Sequence, residues 1–266
     1  MFDFLKKIKL YIFDVDGTLV LGEKALPYAS DVIELLKKNN FNFIILSNNS
    51  SYSIEENLKR LETILKVTLS LKNLYTSTHA TIDFISKKNI RRCFIVGTPG
   101  MIQDFTENGI IQDTENPQAI ILGFDKTLNY NKIQKTAFLL QKNPQIPFFA
   151  THPDLTCPTE EGDIPDVGSF LKMFEAATGR SADIIFGKPN ELILEQCISK
   201  FNLDFSEVLV VGDRLETDIL MANSLGTRSA LVLTGDTSAE DLNLMKNGST
   251  LIWEDLGTLY NYLKNL

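Results

Sequence analysis

The chain has 266 residues, 44% of them hydrophobic, which is enough for one large domain or two smaller ones with separate cores. Its formal net charge of −8 argues against a duplex nucleic-acid binder, whose affinity comes from lysine and arginine neutralising phosphates, but leaves small anionic ligands open. The three cysteines, Cys93, Cys157 and Cys197, are far apart and form no C-x-x-C pair, so neither a disulfide framework nor a structural zinc site is expected.

The N-terminal "MFDFLKKIK" has an acid at position 3 and lysines at 6, 7 and 9, with no apolar run of signal-peptide length after them. No stretch approaches the roughly 18 uncharged apolar residues of a membrane helix. A cytoplasmic protein without a membrane partner is expected. Strands are expected at "LYIF" (10–13) and "FNFIILS" (41–47), separated by a helix in "ALPYASDVIELLKKNN" with Val32, Leu35 and Leu36 on one side. Ser53 and Glu56 then have the S-x-x-E spacing of a capping box opening the next helix. The middle of the chain offers strands at "RRCFIVG" (91–97), "AIILGF" (119–124) and "PFFAT" (147–151), and a helix over 131–143. The last part returns to the first rhythm with "DIIF" (183–186), "EVLVVG" (207–212), "SALVLT" (229–234) and "TLIW" (250–253).

Alternation of short apolar runs with helix-period segments predicts an α/β fold, a doubly wound parallel-sheet (Rossmann-like) core. About 140 residues separate the end of the second strand from Lys188, far more than the roughly 4–6 of an ordinary connection. The middle therefore reads as an inserted α/β domain, residues 80–180, within a core formed by 1–79 and 181–266, with hinges near Thr76–Ala80 and Gly179–Ala182.

Residues two apart in a strand share a face, so Asp14 and Asp16 project together while Val15 points the other way. Two close carboxylates repel unless a proton or cation intervenes, and hard oxygen ligands favour magnesium. An ordinary D-x-D-G turn is the bland alternative. A calcium loop fails because Leu19 stands where its sixth position needs glycine. Ser47, Asn48 and Asn49 end the second strand, where hydroxyl, amide and backbone N–H groups suit a phosphate, though a polar loop would look the same. "GKPN" (187–190) is not a nucleotide-binding phosphate loop, since that fingerprint needs glycine at Ala182 and serine or threonine at Pro189. Asp213 follows an apolar strand directly, and Asp218 falls five residues on, where helix capping is the alternative reading.

Taken together, "FDVDGTL" (13–19), "LSNNSS" (46–51), "GKPN" (187–190) and "GDRLETDI" (212–219) resemble the four motifs of the haloacid dehalogenase superfamily. "LGFD" (122–125), "THPDLTCP" (151–158), "GSFLKMFEAATGR" (168–180) and "LVLTGDTS" (231–238) extend the resemblance to its NagD-like, 4-nitrophenylphosphatase-like branch, whose large cap is inserted between the second and third motifs. The chain departs from that branch at His152, where asparagine is common, at Asp166 in "PDVGS", and near Ala222.

The resemblance implies a phosphatase of small phosphomonoesters with Mg2+ as cofactor. It makes Asp14 the nucleophile and Asp16 the general acid and base. The metal would be held by Asp14, the Asp16 backbone carbonyl and Asp213, with Asp218 in support, and the phosphate by Ser47, Asn48, Asn49 and Lys188. His152 and Asp154 become candidates for selectivity, His79 is expected to be structural, and the cap is expected to form a homodimer. The alternatives are a phosphotransferase or phosphomutase, and a non-catalytic phosphate-ligand-binding module.

Overall fold

The computed structural model describes residues 4–159, 161–238, 241 and 250–266. In chain order the strands are β1 (Leu10–Phe13), β2 (Val20–Leu21), β3 (Lys24–Ala25), β4 (Asn42–Ser47), β5 (Leu74–Thr76), β6 (Arg92–Val96), β7 (Ile111–Gln112), β8 (Ala119–Leu122), β9 (Phe148–Ala150), β10 (Thr156–Thr159), β11 (Gly162–Pro165), β12 (Ile184–Ile185), β13 (Val208–Gly212), β14 (Arg228–Val232) and β15 (Thr250–Trp253). The α-helices are α1 (Ala29–Lys38), α2 (Ile54–Leu65), α3 (Ser77–Lys87), α4 (Pro99–Glu107), α5 (Tyr130–Lys142), α6 (Val167–Thr178), α7 (Glu191–Ser199), α8 (Leu220–Ser224) and α9 (Gly257–Lys264).

Packing divides the chain into two compact units. The first comprises Met1–Ser47, Leu58–Tyr75 and Leu194–Leu266; the second comprises Asn48–Asn57 and Thr76–Ile193. The first unit is built on a sheet of order β15-β14-β13-β1-β4-β5. β1 pairs in parallel with β13 on one side and β4 on the other, and all four of its residues are buried. That is why "LYIF" is an unbroken apolar run, since a central parallel strand is covered on both faces. The chain leaves β1 toward β4 and β5 and later returns to its other side with β13, β14 and β15, so β1 and β13 flank the point where the strand order reverses. α1 buries Ala29, Val32, Ile33 and Leu36, the i, i+3, i+4, i+7 stripe of an amphipathic helix, with Ile33 in the place expected for Leu35.

The second unit is built on a parallel sheet of order β12-β9-β8-β6-β7. Phe94, Val96, Ile120, Leu122, Phe148 and Phe174 form the centre of its core. Here the structure corrects the reading of "DIIF". Ile184 and Ile185 pair with Phe149 and Ala150 of β9, so this strand extends the second sheet and not the first. Asp183 adds two further bonds to Phe148, its N–H donating to the Phe148 carbonyl and its carboxylate accepting from the Phe148 N–H. A short apolar run records that a strand forms but not which sheet it completes. β5 and the β10–β11 hairpin were not anticipated either; β5 is only three residues long, and β10 and β11 contain Pro158 and Pro165.

The capping box forms as expected. The Ser53 N–H donates to Glu56 Oε2 at 2.8 Å and the Glu56 N–H to Ser53 Oγ at 3.1 Å. His79 is likewise structural, its Nδ1 accepting from the Thr76 N–H at the start of α3. Cys93 and Cys197 are buried and Cys157 is half-buried, and none of the three is joined in a disulfide.

One buried carboxylate makes stability depend on pH. Asp104 of α4 accepts from the Ile54 N–H, an otherwise orphaned donor in the first turn of α2, at 3.0 Å. Burial nevertheless pushes its pKa up to about 7, with the Glu107 and Glu56 charges adding to the rise and the Ile54 hydrogen bond opposing it. A carboxyl raised in the folded state contributes its stability below the unfolded value and loses it as pH climbs through the folded one. Between pH 4 and 8 the wild type should therefore lose up to about 4 kcal/mol relative to the Asp104→Asn variant in urea unfolding. Parallel stability curves for the two proteins would contradict this.

Candidate active site

The first unit gathers its acids at the carboxyl ends of β1 and β13. The Asp14 N–H donates to the Val211 carbonyl at 2.9 Å, continuing the β1–β13 ladder past Phe13. The chain then turns sharply, with the Leu19 and Val20 N–H groups both donating to the Val15 carbonyl and the Gly17 N–H to the Val20 carbonyl. Gly17 sits at φ +88°, and a Cβ there would lie 2.3 Å from Asp213 Oδ2, so the turn demands glycine both for its backbone and for space. Val15 is buried while Asp14 is half-buried and Asp16 exposed, as alternation along a strand end requires.

Asp213 follows β13 directly and is buried. Its Oδ2 accepts from the Asp236 N–H at 2.7 Å and its Oδ1 from Thr18 Oγ1 at 3.3 Å. Asp218 is also buried and lies on a π-helical turn, Leu215–Ile219, a geometry frequent at functional sites. Asp14, Asp213 and Asp218 each bring one carboxylate oxygen to within 4.8 Å of the others. Asp16 directs its side chain elsewhere, 4.0 Å from the Arg60 guanidinium, which also binds the Gly22 carbonyl and Glu23. Ser47, the last residue of β4, is buried.

The second unit holds the remaining expected residues. Asn48 donates through Nδ2 to Asp154 Oδ2 at 3.0 Å and to the Lys188 carbonyl at 3.1 Å, and its Oδ1 accepts from the Lys188 N–H at 2.8 Å. Asn49 Oδ1 accepts from both the N–H and the hydroxyl of Ser51. Lys188 is buried. Gly187 beside it has no room for a side chain: a Cβ would lie 2.5 Å from His152 Cβ and 2.6 Å from Asn48 Oδ1.

His152 is buried within a chain of hydrogen bonds that sequence reasoning did not find. The Phe124 N–H donates to Ser50 Oγ (2.9 Å), Ser50 Oγ pairs with Thr151 Oγ1 (3.0 Å), Thr151 Oγ1 with His152 Nδ1 (3.0 Å), and His152 Nε2 with Asp166 Oδ1 (2.9 Å). A carboxylate only accepts, so His152 donates from Nε2 to Asp166; in the neutral imidazole Nδ1 then accepts from the Thr151 hydroxyl, and Ser50 Oγ donates to Thr151 Oγ1. Asp166 also caps α6 by accepting from the Val167 N–H at 2.6 Å. Its place just before the helical "VGSF" was the one available signal for this role. Asp154 Oδ2 lies 4.0 Å from His152 Nε2, which makes His152, Asp154 and Asp166 a second group of metal-capable side chains. Hydrogen bonding accounts for that group, because 2.9 Å between Nε2 and Oδ1 is closer than the roughly 3.3 Å separating two ligands of a tetrahedral zinc.

Comparison with known proteins agrees with this architecture. A family model described as haloacid dehalogenase-like hydrolase matches residues 11–111, and a second, HAD-hydrolase-like, matches residues 185–259. The acid sugar phosphatase of Staphylococcus haemolyticus is 29% identical over 262 residues, covering 98% of each chain. Among solved structures, a 4-nitrophenylphosphatase from Thermotoga maritima superposes with a TM-score of 0.91 at 38% identity, covering 97% of this chain and 98% of that one. A glycerol phosphate phosphatase from Mycobacterium tuberculosis, in complex with magnesium, superposes with a TM-score of 0.87 at 25% identity, covering 97% of this chain and 78% of that one. With likeness running along nearly the whole chain and both ends matched by family models, the protein belongs to the haloacid dehalogenase-like hydrolases, in their NagD-like, 4-nitrophenylphosphatase-like branch.

Proposed function

We propose that the protein is a magnesium-dependent phosphatase that hydrolyses small phosphomonoesters through an aspartyl-phosphate intermediate. The observation that carries this reading is the convergence of Asp14, Asp213 and Asp218, with carboxylate oxygens within 4.8 Å, beside the strand-order reversal. Ligands of open α/β sheets bind at such a point. An all-oxygen, anionic donor set suits a hard divalent ion. Asp14, the Asp16 backbone carbonyl and Asp213 would hold it, with Asp218 in support. Bound there, magnesium would neutralise charge on the transferring phosphoryl group and orient it.

A carboxylate is ionised at neutral pH and needs no separate base to act as nucleophile. An Asp14 oxygen attacks phosphorus, the bond from phosphorus to the leaving oxygen breaks, and Asp16 gives that oxygen its proton. Water then attacks the phosphorus of the aspartyl phosphate while Asp16 takes a proton from it, releasing inorganic phosphate and restoring both carboxyl groups. The exposure of the Asp16 side chain, 57%, suits a group that must meet first an alkoxide and then a water. Ser47, Asn49 and Lys188 hold the remaining phosphoryl oxygens, with Asn48 in the same turn.

The inserted cap, which takes in β12 and so runs past the expected residues 80–180, excludes water and selects the leaving group in this reading, with Asp154 and His152 as selectivity residues. The named relatives act on sugar phosphate, 4-nitrophenyl phosphate and glycerol phosphate, and these esters define the panel to assay. A homodimer formed through the cap is part of this reading; sedimentation at micromolar concentration showing only monomer would remove it.

Phosphate release from that panel should require magnesium, stop on chelation and return when the ion is restored. The Asp14→Asn substitution should lower kcat/KM by at least about 1000-fold while leaving the fold intact. Phosphorylated product without free phosphate would point instead to transfer onto an alcohol. Gly17→Ala should cost about 100-fold in kcat, because the new Cβ displaces Asp213 from its place beside the turn. Unchanged turnover in that variant would separate the Gly17 turn from the chemistry.

A further inference from the structure

We infer that Asn48 is a positioning residue whose carboxamide sets the Lys188 main chain and the Asp154 carboxylate, and that its side chain does not itself bind phosphate. The inference rests on the phosphatase reading of Lys188. An asparagine side chain has two N–H donors and one carbonyl acceptor. Both donors of Asn48 are spent, one on Asp154 Oδ2 and one on the Lys188 carbonyl, while its oxygen accepts from the Lys188 N–H. An anion needs donors, and this side chain has none to offer. The reversed amide would put its oxygen against a carbonyl and a carboxylate and its NH2 against an N–H, so all three contacts would be repulsive. The orientation is thereby unique.

The clamp also lacks slack. The Asn48 main chain is tied to α3 through its carbonyl, which accepts from Ser77 Oγ at 2.5 Å. On the other side, Gly187 brings the Lys188 segment so close to the amide that no Cβ fits between them. Lys188 is buried, so the position of its ammonium is inherited from where its main chain starts, and that start is gripped on both N–H and C=O by one amide. The same amide holds Asp154 by a hydrogen bond to a charged acceptor, the stronger class of such bonds. One residue therefore couples the group proposed to hold phosphate to the group proposed to read the leaving alcohol.

The test combines calorimetric binding of inorganic phosphate, in the presence of magnesium, with steady-state hydrolysis of 4-nitrophenyl phosphate. Wild type, Asn48→Ala, Lys188→Ala and the double variant form one cycle. Asn48→Ala should weaken phosphate binding and lower kcat/KM by about 10- to 100-fold. In phosphate binding, where no leaving alcohol is read, the double variant should be no worse than Lys188→Ala, since Asn48 acts there through Lys188. Losses that multiply in full would overturn the inference and make Asn48 an independent ligand.

Asn48→Asp keeps the side chain's volume and its acceptor for the Lys188 N–H, and so serves if the alanine variant does not fold. Its introduced carboxylate faces Asp154 and can share a proton with it only at low pH. Activity relative to wild type should accordingly rise as pH falls from 8 to 5, a trend that Asp154→Ala removes. A ratio independent of pH would count against the clamp. If the wild type binds phosphate but releases none from any ester, the phosphatase reading fails while the binding cycle still decides the role of Asn48. A wild type that does neither overturns both.

Discussion

Repulsion among three carboxylates is the constraint around which the first unit is arranged. Asp14, Asp213 and Asp218 hold oxygens within 4.8 Å of one another, and two of the three residues are buried. Two unit charges 4 Å apart at an effective dielectric of 20 repel by about 4 kcal/mol, a large fraction of a domain's net stability. Side chains free to move would swing apart. Here they do not, because Gly17 and Gly235 press on Asp213 and Gly212 presses on Asp218 with no space for a Cβ. The backbones carrying Asp14 and Asp213 belong to adjacent parallel strands locked by register, Phe13 beside Val211. Donors from Thr18, the Asp236 N–H and Thr217 offset part of the charge. The result is a rigidly mounted group of carboxylate oxygens, the kind of donor set that a hard divalent cation takes.

The second unit solves a different problem with the same geometry. Its parallel strands also present their carboxyl ends in a row: Phe124 and Asp125 just past β8, Thr151 and His152 just past β9, Lys188 just past β12. Buried polar groups there must all be paired, since an unmade hydrogen bond in the interior costs more than a made one contributes. The series from the Phe124 N–H through Ser50, Thr151 and His152 to Asp166 meets that demand without a gap. Asn48 meets it with three bonds from one amide. Such a network fixes side-chain directions more tightly than apolar packing, which tolerates sliding. It also explains why histidine is accommodated at position 152: both ring nitrogens have partners of the right kind.

Much of this was readable in one dimension. "LYIF" is a buried strand because four consecutive apolar residues ending in two acids have few other uses in a parallel sheet. Ser53 and Glu56 close their capping box because that interaction spans only three residues. Asp14 and Asp213 were legible as acids at strand ends, while the place of Asp218 beside them was implied only by the resemblance to the haloacid dehalogenase motifs. The placement of "DIIF" was not legible, because Ile184 and Ile185 would be equally at home beside any apolar parallel strand; their choice of β9 is made by chain connection and by the Asp183 bonds to Phe148. Asp166 stood out only as a departure from the branch's pattern, since nothing local distinguishes a helix cap from a cap that also binds a histidine fourteen residues earlier.

The sequence by itself determined which segments form strands and helices, which carboxylates stand at strand ends and which family of chemistry the chain can perform. Those properties depend on side-chain period, local capping and the order of motifs, all expressed within a few residues. Only the tertiary structure decided which sheet β12 completes, that His152 is bracketed by Thr151 and Asp166, and that the amide of Asn48 is already spent on residues 106 and 140 positions away. The physical reason is that a hydrogen-bonding group declares its capacity in the sequence but not its partner, and the partner is chosen by distances that exist only after the sheets have formed.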